Sequence, residues 1–378
     1  MRPGQLIRFL AAVVVILLPV LARAEPYLMV RTGAKCSACH TNQTGGGKRT
    51  PFAHIHAKDI LQDLDLLPIP LGVKAFDGEV NSYLSIGSDL RVRNTTTFGG
   101  HINKQGEVER NQAFRPEVLS NDTTVFEFLG YGQIDLWPDL VTLYADEEFT
   151  GGANNREAFA LLKGFLPWDS YIKVGRMFPT FGLRVQDDQA YVRARSGYTF
   201  QNPDTGAEFG TQPGPFYLGT TITNGTSGDK DVSATVNGYG VFEDVPVVRN
   251  VLAGASFARQ TDKRDVASFY LGSNLGALTY LAEFDPIWDR TVASVGKRDQ
   301  YAAYSELDYL LFDWLNLRGT FEFVKVSQAQ DQTRYTIGAE PFINHVLQPR
   351  IQYRINNSVA NQPDQNHDEL WLELHVFL

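Results

Sequence analysis

The last ten residues alternate without a break. Leu370, Leu372, Leu374, Val376 and Leu378 fall on one side of the segment, and Trp371, Glu373, His375 and Phe377 on the other. A two-residue period defines a β-strand, because successive side chains leave opposite faces. One face is wholly aliphatic, while the other mixes charge with aromatic rings. In a soluble sandwich the aliphatic face turns to a core; in a membrane barrel it turns to lipid.

The same period recurs back through the chain. Sixteen strands are predicted, near 79–92, 122–136, 138–149, 156–165, 169–178, 189–200, 214–224, 231–242, 249–260, 265–273, 277–285, 299–311, 315–327, 332–343, 349–357 and 368–378. Most are close to the ~9–11 residues that a tilted transmembrane strand requires. Short connections such as Trp137-Pro138, Leu166-Pro167-Trp168 and Phe312-Asp313-Trp314 alternate with longer polar ones, Arg93 to Asp122, Asn224 to Asp231, Pro286 to Asp299 and Asn357 to His367. Short periplasmic turns opposite longer outer loops are the pattern of an outer-membrane barrel, and Trp and Phe at the turns fit an aromatic girdle. The predicted fold is mainly β: an antiparallel, porin-like barrel of about 16 strands over residues 75–378. An even count puts both barrel ends on the short-turn side, and about sixteen strands leave an aqueous lumen.

Upstream, Arg2 and Arg8 precede an apolar run from Phe9 to Leu21, and Ala22-Arg23-Ala24 supplies a cleavage site. Residues 1–24 thus read as a secretory signal peptide; the run is short of the ~20 residues of a membrane helix. Without them the chain has 31 basic and 43 acidic residues, a net charge of −12. Such an excess of acid argues against a nucleic-acid partner.

Residues 25–74 hold the only two cysteines, in Cys36-Ser37-Ala38-Cys39-His40. Cys-x-x-Cys-His is the attachment signature of haem c. Two thiols three positions apart meet the two vinyl groups of the porphyrin, and the next histidine, His40, becomes the proximal iron ligand. A disulfide across so small a loop would constrain the unfolded chain little, and a redox dithiol lacks its βαβ context. Zinc on Cys36, Cys39, His54 and His56 is the rival, but it leaves His40 unexplained. For the distal iron position His54 is the candidate, at the start of a predicted helix over 53–67; Met29 and Met177 are the methionine alternatives. Pro68 and Pro70 end that helix and open a linker.

A further stretch, Gly175 to Arg195, gathers Arg176, Arg184, Asp187, Asp188, Arg193 and Arg195. On a strand Arg193 and Arg195 would project together, and charges of both signs could frame a constriction in the lumen. No Ser-His-Asp set falls on one surface, which argues against a hydrolase.

With a signal peptide, one haem motif near the mature N-terminus, a barrel behind it and the run Val174–Arg193, the chain resembles the fused outer-membrane cytochrome–porins, among them the cytochromes of iron-oxidising bacteria. The resemblance implies one covalent haem c on Cys36, Cys39 and His40, and electron transfer at the outer membrane. Its implied partners are a periplasmic carrier such as a soluble cytochrome and an extracellular donor or acceptor, iron(II) included. A diffusion porin with a haem-bearing plug or sensor segment is the alternative expectation.

Overall fold

The computed structural model describes residues 26–53, 78–99, 101–102, 108–109, 117–225, 232–292, 296–326, 331–343, 347–357 and 367–377. The predicted signal peptide over 1–24, His54, His56, Pro68, Pro70 and nearly all of the helix predicted over 53–67 lie outside these residues.

Two short helices come first, α1 (Pro26–Thr32) and α2 (Cys36–Cys39). The strands follow: β1 (Glu79–Asn81), β2 (Leu84–Gly99), the loop pair β3 (His101–Ile102) and β4 (Val108–Glu109), then β5 (Glu117–Trp137), β6 (Val141–Glu148), β7 (Asn154–Leu166) and β8 (Ser170–Met177). After helix α3 (Tyr191–Ser196) come β9 (Asp204–Thr211), β10 (Phe216–Thr223), β11 (Ser233–Glu243), β12 (Asn250–Gln260), β13 (Arg264–Leu275) and β14 (Leu278–Val292). The last are β15 (Gly296–Phe312), β16 (Leu315–Val326), β17 (Gln332–Pro341), β18 (Leu347–Asn357) and β19 (His367–Phe377).

β2 and β5 to β19 form the barrel, each strand antiparallel to its neighbours, and β19 pairs with β2 to close the ring. Closure removes the edges, so no row of unpaired backbone groups meets the bilayer. The short connections after β5, β7, β9, β11, β13, β15 and β17 share one end with the start of β2.

The alternation of the last strand is resolved as lipid out and lumen in. Leu372 and Leu374 are 46% and 42% exposed, whereas Trp371, Glu373 and His375 are buried. The same holds on β10, where Phe216, Leu218 and Ile222 face out and Tyr217, Thr221 and Thr223 face in. Exposed Phe165, Trp168, Phe216 and Phe312 ring the short-turn end, as a girdle at the headgroup level requires.

The count of sixteen holds, but one stave differs from the prediction. Residues 189–200 are not a strand; they contain α3 and belong to a connection, 178–203, that turns into the barrel. The strand in its place is β9, which pairs with β8 and β10. Its Gly206 and Gly210 hide the alternation: Gly210 leaves room for the Tyr171 ring, with which a Cβ would collide. Two of the predicted loops, Arg93 to Asp122 and Pro286 to Asp299, also prove to be partly strand. β2 runs on to Gly99, β5 begins at Glu117, and β14 passes through Pro286 to Val292. Pro286 is tolerated because the β13–β14 ladder is interrupted there, between the Val266–Ile287 and Phe269–Phe284 pairs.

Candidate functional site

Two segments occupy the interior. The first is the connection 178–203, whose bonds step round the wall. Thr180 N donates to Thr221 Oγ1 (3.3 Å), Gly182 N to Ser256 Oγ (2.9 Å), Leu183 N to Glu283 Oε2 (3.1 Å) and Tyr191 N to Glu322 Oε2 (2.7 Å). Arg334 Nη1 then donates to Gln189 O (2.9 Å), and Arg354 pairs with Asp187. The partners lie on β10, β12, β14, β16, β17 and β18, so the segment crosses the lumen.

Between this loop and the facing wall lies a chamber of about 600 Å³. Its wall carries Arg91 and Arg93 from β2, Arg318 from β16, Arg334 from β17, and Arg350 and Arg354 from β18, while Asp187 and Asp188 enter from the loop. The wall cations are compensated. Arg93 pairs with Glu373 at 2.6 Å, Arg350 with Glu373 at 3.1 Å, Arg318 with Glu340 at 2.8 Å and Arg334 with Glu322 at 3.4 Å. Arg93 also stacks on Phe126 and Trp371, at 3.6 and 3.9 Å from the ring centres. Burial opposes a charge on Asp187, but Arg354, Arg334 and Arg93 outweigh it and hold the carboxyl below its ordinary value. At Asp188 burial wins over Arg193 and raises the pKa. Arg193 and Arg195 do not project together, because two residues along a helix is more than half a turn. Arg193 is buried beside Asp188 and Phe200, while Arg195 lines the chamber.

These wall arginines were not singled out from the sequence. Their signal was available in part: Arg91 and Arg93, like Arg350 and Arg354, stand an even number of residues apart on one strand, hence on one face.

The second interior segment is residues 26–53. Asn250 Nδ2 donates to Val30 O and Arg31 O, both at 2.9 Å, and holds the end of α1. Lys35 Nζ reaches the carbonyl of Gly214 (2.6 Å) in a short turn, and Ser37 Oγ donates to Gln212 Oε1 (2.7 Å). Thr41 Oγ1 donates to Gln133 Oε1 (2.7 Å) and Lys48 N to Tyr144 Oη (3.0 Å). Asn42 reaches furthest. Its Nδ2 donates to both oxygens of Glu157 (3.0 and 2.8 Å), and its Oδ1 accepts from Lys173 Nζ (3.1 Å), which also pairs with Glu208 at 2.9 Å. Asn42, Lys173 and Glu208 are all fully buried.

Within this segment α2 puts Cys36 and Cys39 on one helical turn, and His40 caps it, its N–H donating to Cys36 O at 3.0 Å. The two thiols are not joined in a disulfide. Burial pushes both thiols up in pKa; at Cys36 the Tyr239 hydroxyl (3.9 Å) and Arg184 work against it. Protonated thiols are poor thiolate ligands and nucleophiles. His40 is buried and Met29 Sδ lies 3.7 Å from Cys36 Sγ. After the motif, Gly45, Gly46 and Gly47 all take positive φ (88°, 78° and 65°) and fold the chain back, so that His40 bridges to Arg49. A Cβ at Gly47 would strike the Tyr144 hydroxyl, and one at Gly45 would press on Cys36 Sγ at 3.4 Å. A polar cavity of about 260 Å³ adjoins His40, bordered by Ser37, Lys48, Thr50, Gln133 and Asp135. Met177 is buried at the end of β8.

A closed ring of sixteen antiparallel strands, apolar outside and crossed by an inward loop, defines a porin-like outer-membrane β-barrel. Solved structures agree. The chain is similar to the outer-membrane expressed OmpT of Vibrio cholerae, at 9% identity and a TM-score of 0.51 over 79% of this chain and 99% of that one. It is also similar to an anion-selective porin from Comamonas acidovorans, at 10% identity and a TM-score of 0.52 over 78% and 99% of the two chains. OprB of Pseudomonas putida matches at 10% identity and a TM-score of 0.54 over 78% and 93%. Identities this low speak for the fold alone. No family profile and no curated protein matches the sequence.

Proposed function

We propose that the chain is an outer-membrane pore obstructed by its own N-terminal segment, and that this segment carries one covalent haem c. The supporting observation is that residues 30–48 bond to inward groups on β5, β6, β7, β8 and β12, while an ion-paired chamber of about 600 Å³ stays clear beside the inward loop. Small hydrophilic solutes are the class such a chamber admits. Its charges are present to orient water and ions but are balanced against each other, which disfavours apolar permeants.

The donor set fits haem c. Cys36 and Cys39 are unbridged thiols one helical turn apart, His40 follows directly, and Gly45 adds no side chain to those of Met29 and Tyr239 already against Cys36. Cys36 and Cys39 would hold the macrocycle and His40 the iron; the bound group supplies one-electron chemistry. Of the distal candidates, His54 lies outside the described residues.

The position of α2 favours a second reading, electron transfer at the outer membrane. Lys35, next to the motif, bonds the backbone of a short turn, the end that a periplasmic carrier would reach. On this reading the haem exchanges electrons between such a carrier, a soluble cytochrome for example, and an extracellular donor or acceptor, with iron(II) one candidate.

The test is a redox-titrated visible spectrum of the detergent-purified protein, with conductance in planar bilayers. A haem spectrum that survives denaturation in the wild type and disappears in Cys36→Ala, with the barrel still inserted, is the expected result. A colourless wild type removes the haem, and a protein extracted without detergent removes the pore.

A further inference from the structure

The inward loop and the Cys36–His40 segment share their anchors. Glu157 Oε1 accepts from Asn42 Nδ2 (3.0 Å) on the N-terminal segment and from Phe178 N (3.1 Å) at the start of the loop. Arg184, on the loop, spends its guanidinium the same way. Nη1 donates to Gly45 O (2.6 Å) and Nη2 to Phe178 O (2.8 Å). Phe178 meets Phe200 edge-on at 5.4 Å, and a Cβ on Gly46 would lie 3.8 Å from the Phe200 ring. Thr180 reaches Tyr217, which stacks on Tyr239, and Tyr239 touches Cys36. Neither segment can leave its place without breaking bonds that hold the other.

We propose that these two segments form one coupled unit, with Glu157 and Arg184 as the joint, so that a change at the Cys36–His40 site alters the width of the pore and a change in the loop alters that site. This rests on the reading that residues 26–53 obstruct the lumen. Coupling between two sites is reciprocal, and therefore it can be read from both ends. Arg184 and Glu157 act here as positioning residues, since neither belongs to the Cys-x-x-Cys-His motif.

The experiment uses the full chain in lipid, with amide hydrogen exchange and single-channel conductance as readouts. Gly47→Ala perturbs the N-terminal side only, through the positive φ of 65° and the collision with Tyr144. Arg184→Gln perturbs the loop side. Gly47→Ala is expected to speed exchange at the distant Leu183 and Phe178 amides by at least about fivefold, and Arg184→Gln to do the same at Thr41 and Lys48. Conductance rises in both. Glu157→Gln, which keeps the shape of the wall, loosens both segments together. The proposal is overturned if each variant loosens only the segment that carries it, or if Glu157→Gln frees one and not the other. If Gly47→Ala leaves Thr41, Lys48 and the conductance all unchanged, the obstruction reading itself is at fault.

Discussion

Asn42→Ala gives a direct measure of how firmly the N-terminal segment is seated. The wild-type side chain contacts two charged groups, Glu157 through Nδ2 and Lys173 through Oδ1. A hydrogen bond to a charged group contributes about 1.5–3 kcal/mol, so the two contacts together contribute about 3–6 kcal/mol. The lower end applies, for two reasons. Contacts sharing one side chain do not add fully, and neither charge is stranded by the substitution. Glu157 keeps the Phe178 N–H at 3.1 Å and Lys173 keeps Glu208 at 2.9 Å. A loss of about 3 kcal/mol shifts the seated-to-unseated ratio by about a hundredfold. The assay is amide exchange of the protein in lipid, read at Thr41 and Lys48, whose N–H groups bond to Lys48 O and to Tyr144 Oη at 3.0 Å each. Protection there should fall by about two orders of magnitude, while the paired amides of β7 and β8 keep theirs. Unchanged protection at Thr41 and Lys48 would refute the seating. An equal loss in the strands would refute the division between barrel and inserted segment.

Two further predictions concern the wall and the loop. Leu372→Arg puts a charge on the lipid face and should destabilise the barrel by about 2–4 kcal/mol, seen as a lower urea midpoint in liposomes; no change would mean that Leu372 faces the lumen. The hold of Asp187 on the wall should survive mild acid. The Asp187 carboxyl is held below its ordinary 3.8 by Arg354, Arg334 and Arg93 despite burial, so its contribution to docking is present above that value and is lost only as pH falls through the depressed one. The difference in conductance between the wild type and Asp187→Asn should hold from about pH 7 to 5 and close only below about pH 4; a difference that closes near pH 6 would contradict the account.

The barrel was legible where outward and inward residues differ in kind. β19 is the clearest case, with leucines facing lipid against Trp371, Glu373 and His375 inside. β9 was not legible, because two of its eight residues are glycines and its inward Glu208 is matched by a single large outward residue, Phe209. The segment 189–200 reads as a strand because Tyr191-Val192-Arg193-Ala194-Arg195 alternates polar with apolar, and the six residues of α3 are too few to distinguish a short helix from a strand by period alone. Loop lengths erred for a related reason: strands rising past the bilayer no longer need apolar outward residues, so Asn94, Thr95, Thr96 and Thr97 continue β2 without the pattern that marks it below.

At the site, spacing alone brought Cys36, Cys39 and His40 together, since two residues on one helical turn and the residue that caps it need nothing from elsewhere in the chain. It could not bring Asn42 to Glu157, 115 residues away, or Arg184 to Gly45, 139 residues away. By itself the sequence determined the two-residue period of the wall and the local geometry of the cysteine motif, both of which depend on near neighbours, whereas closure joins the first barrel strand to the last. Only the tertiary structure decided that the 178–203 connection and residues 26–53 lie inside that ring and share anchors. A lumen this wide leaves many inward polar groups without strand partners, and which segment satisfies them is settled by the assembled wall rather than by any one stretch of chain.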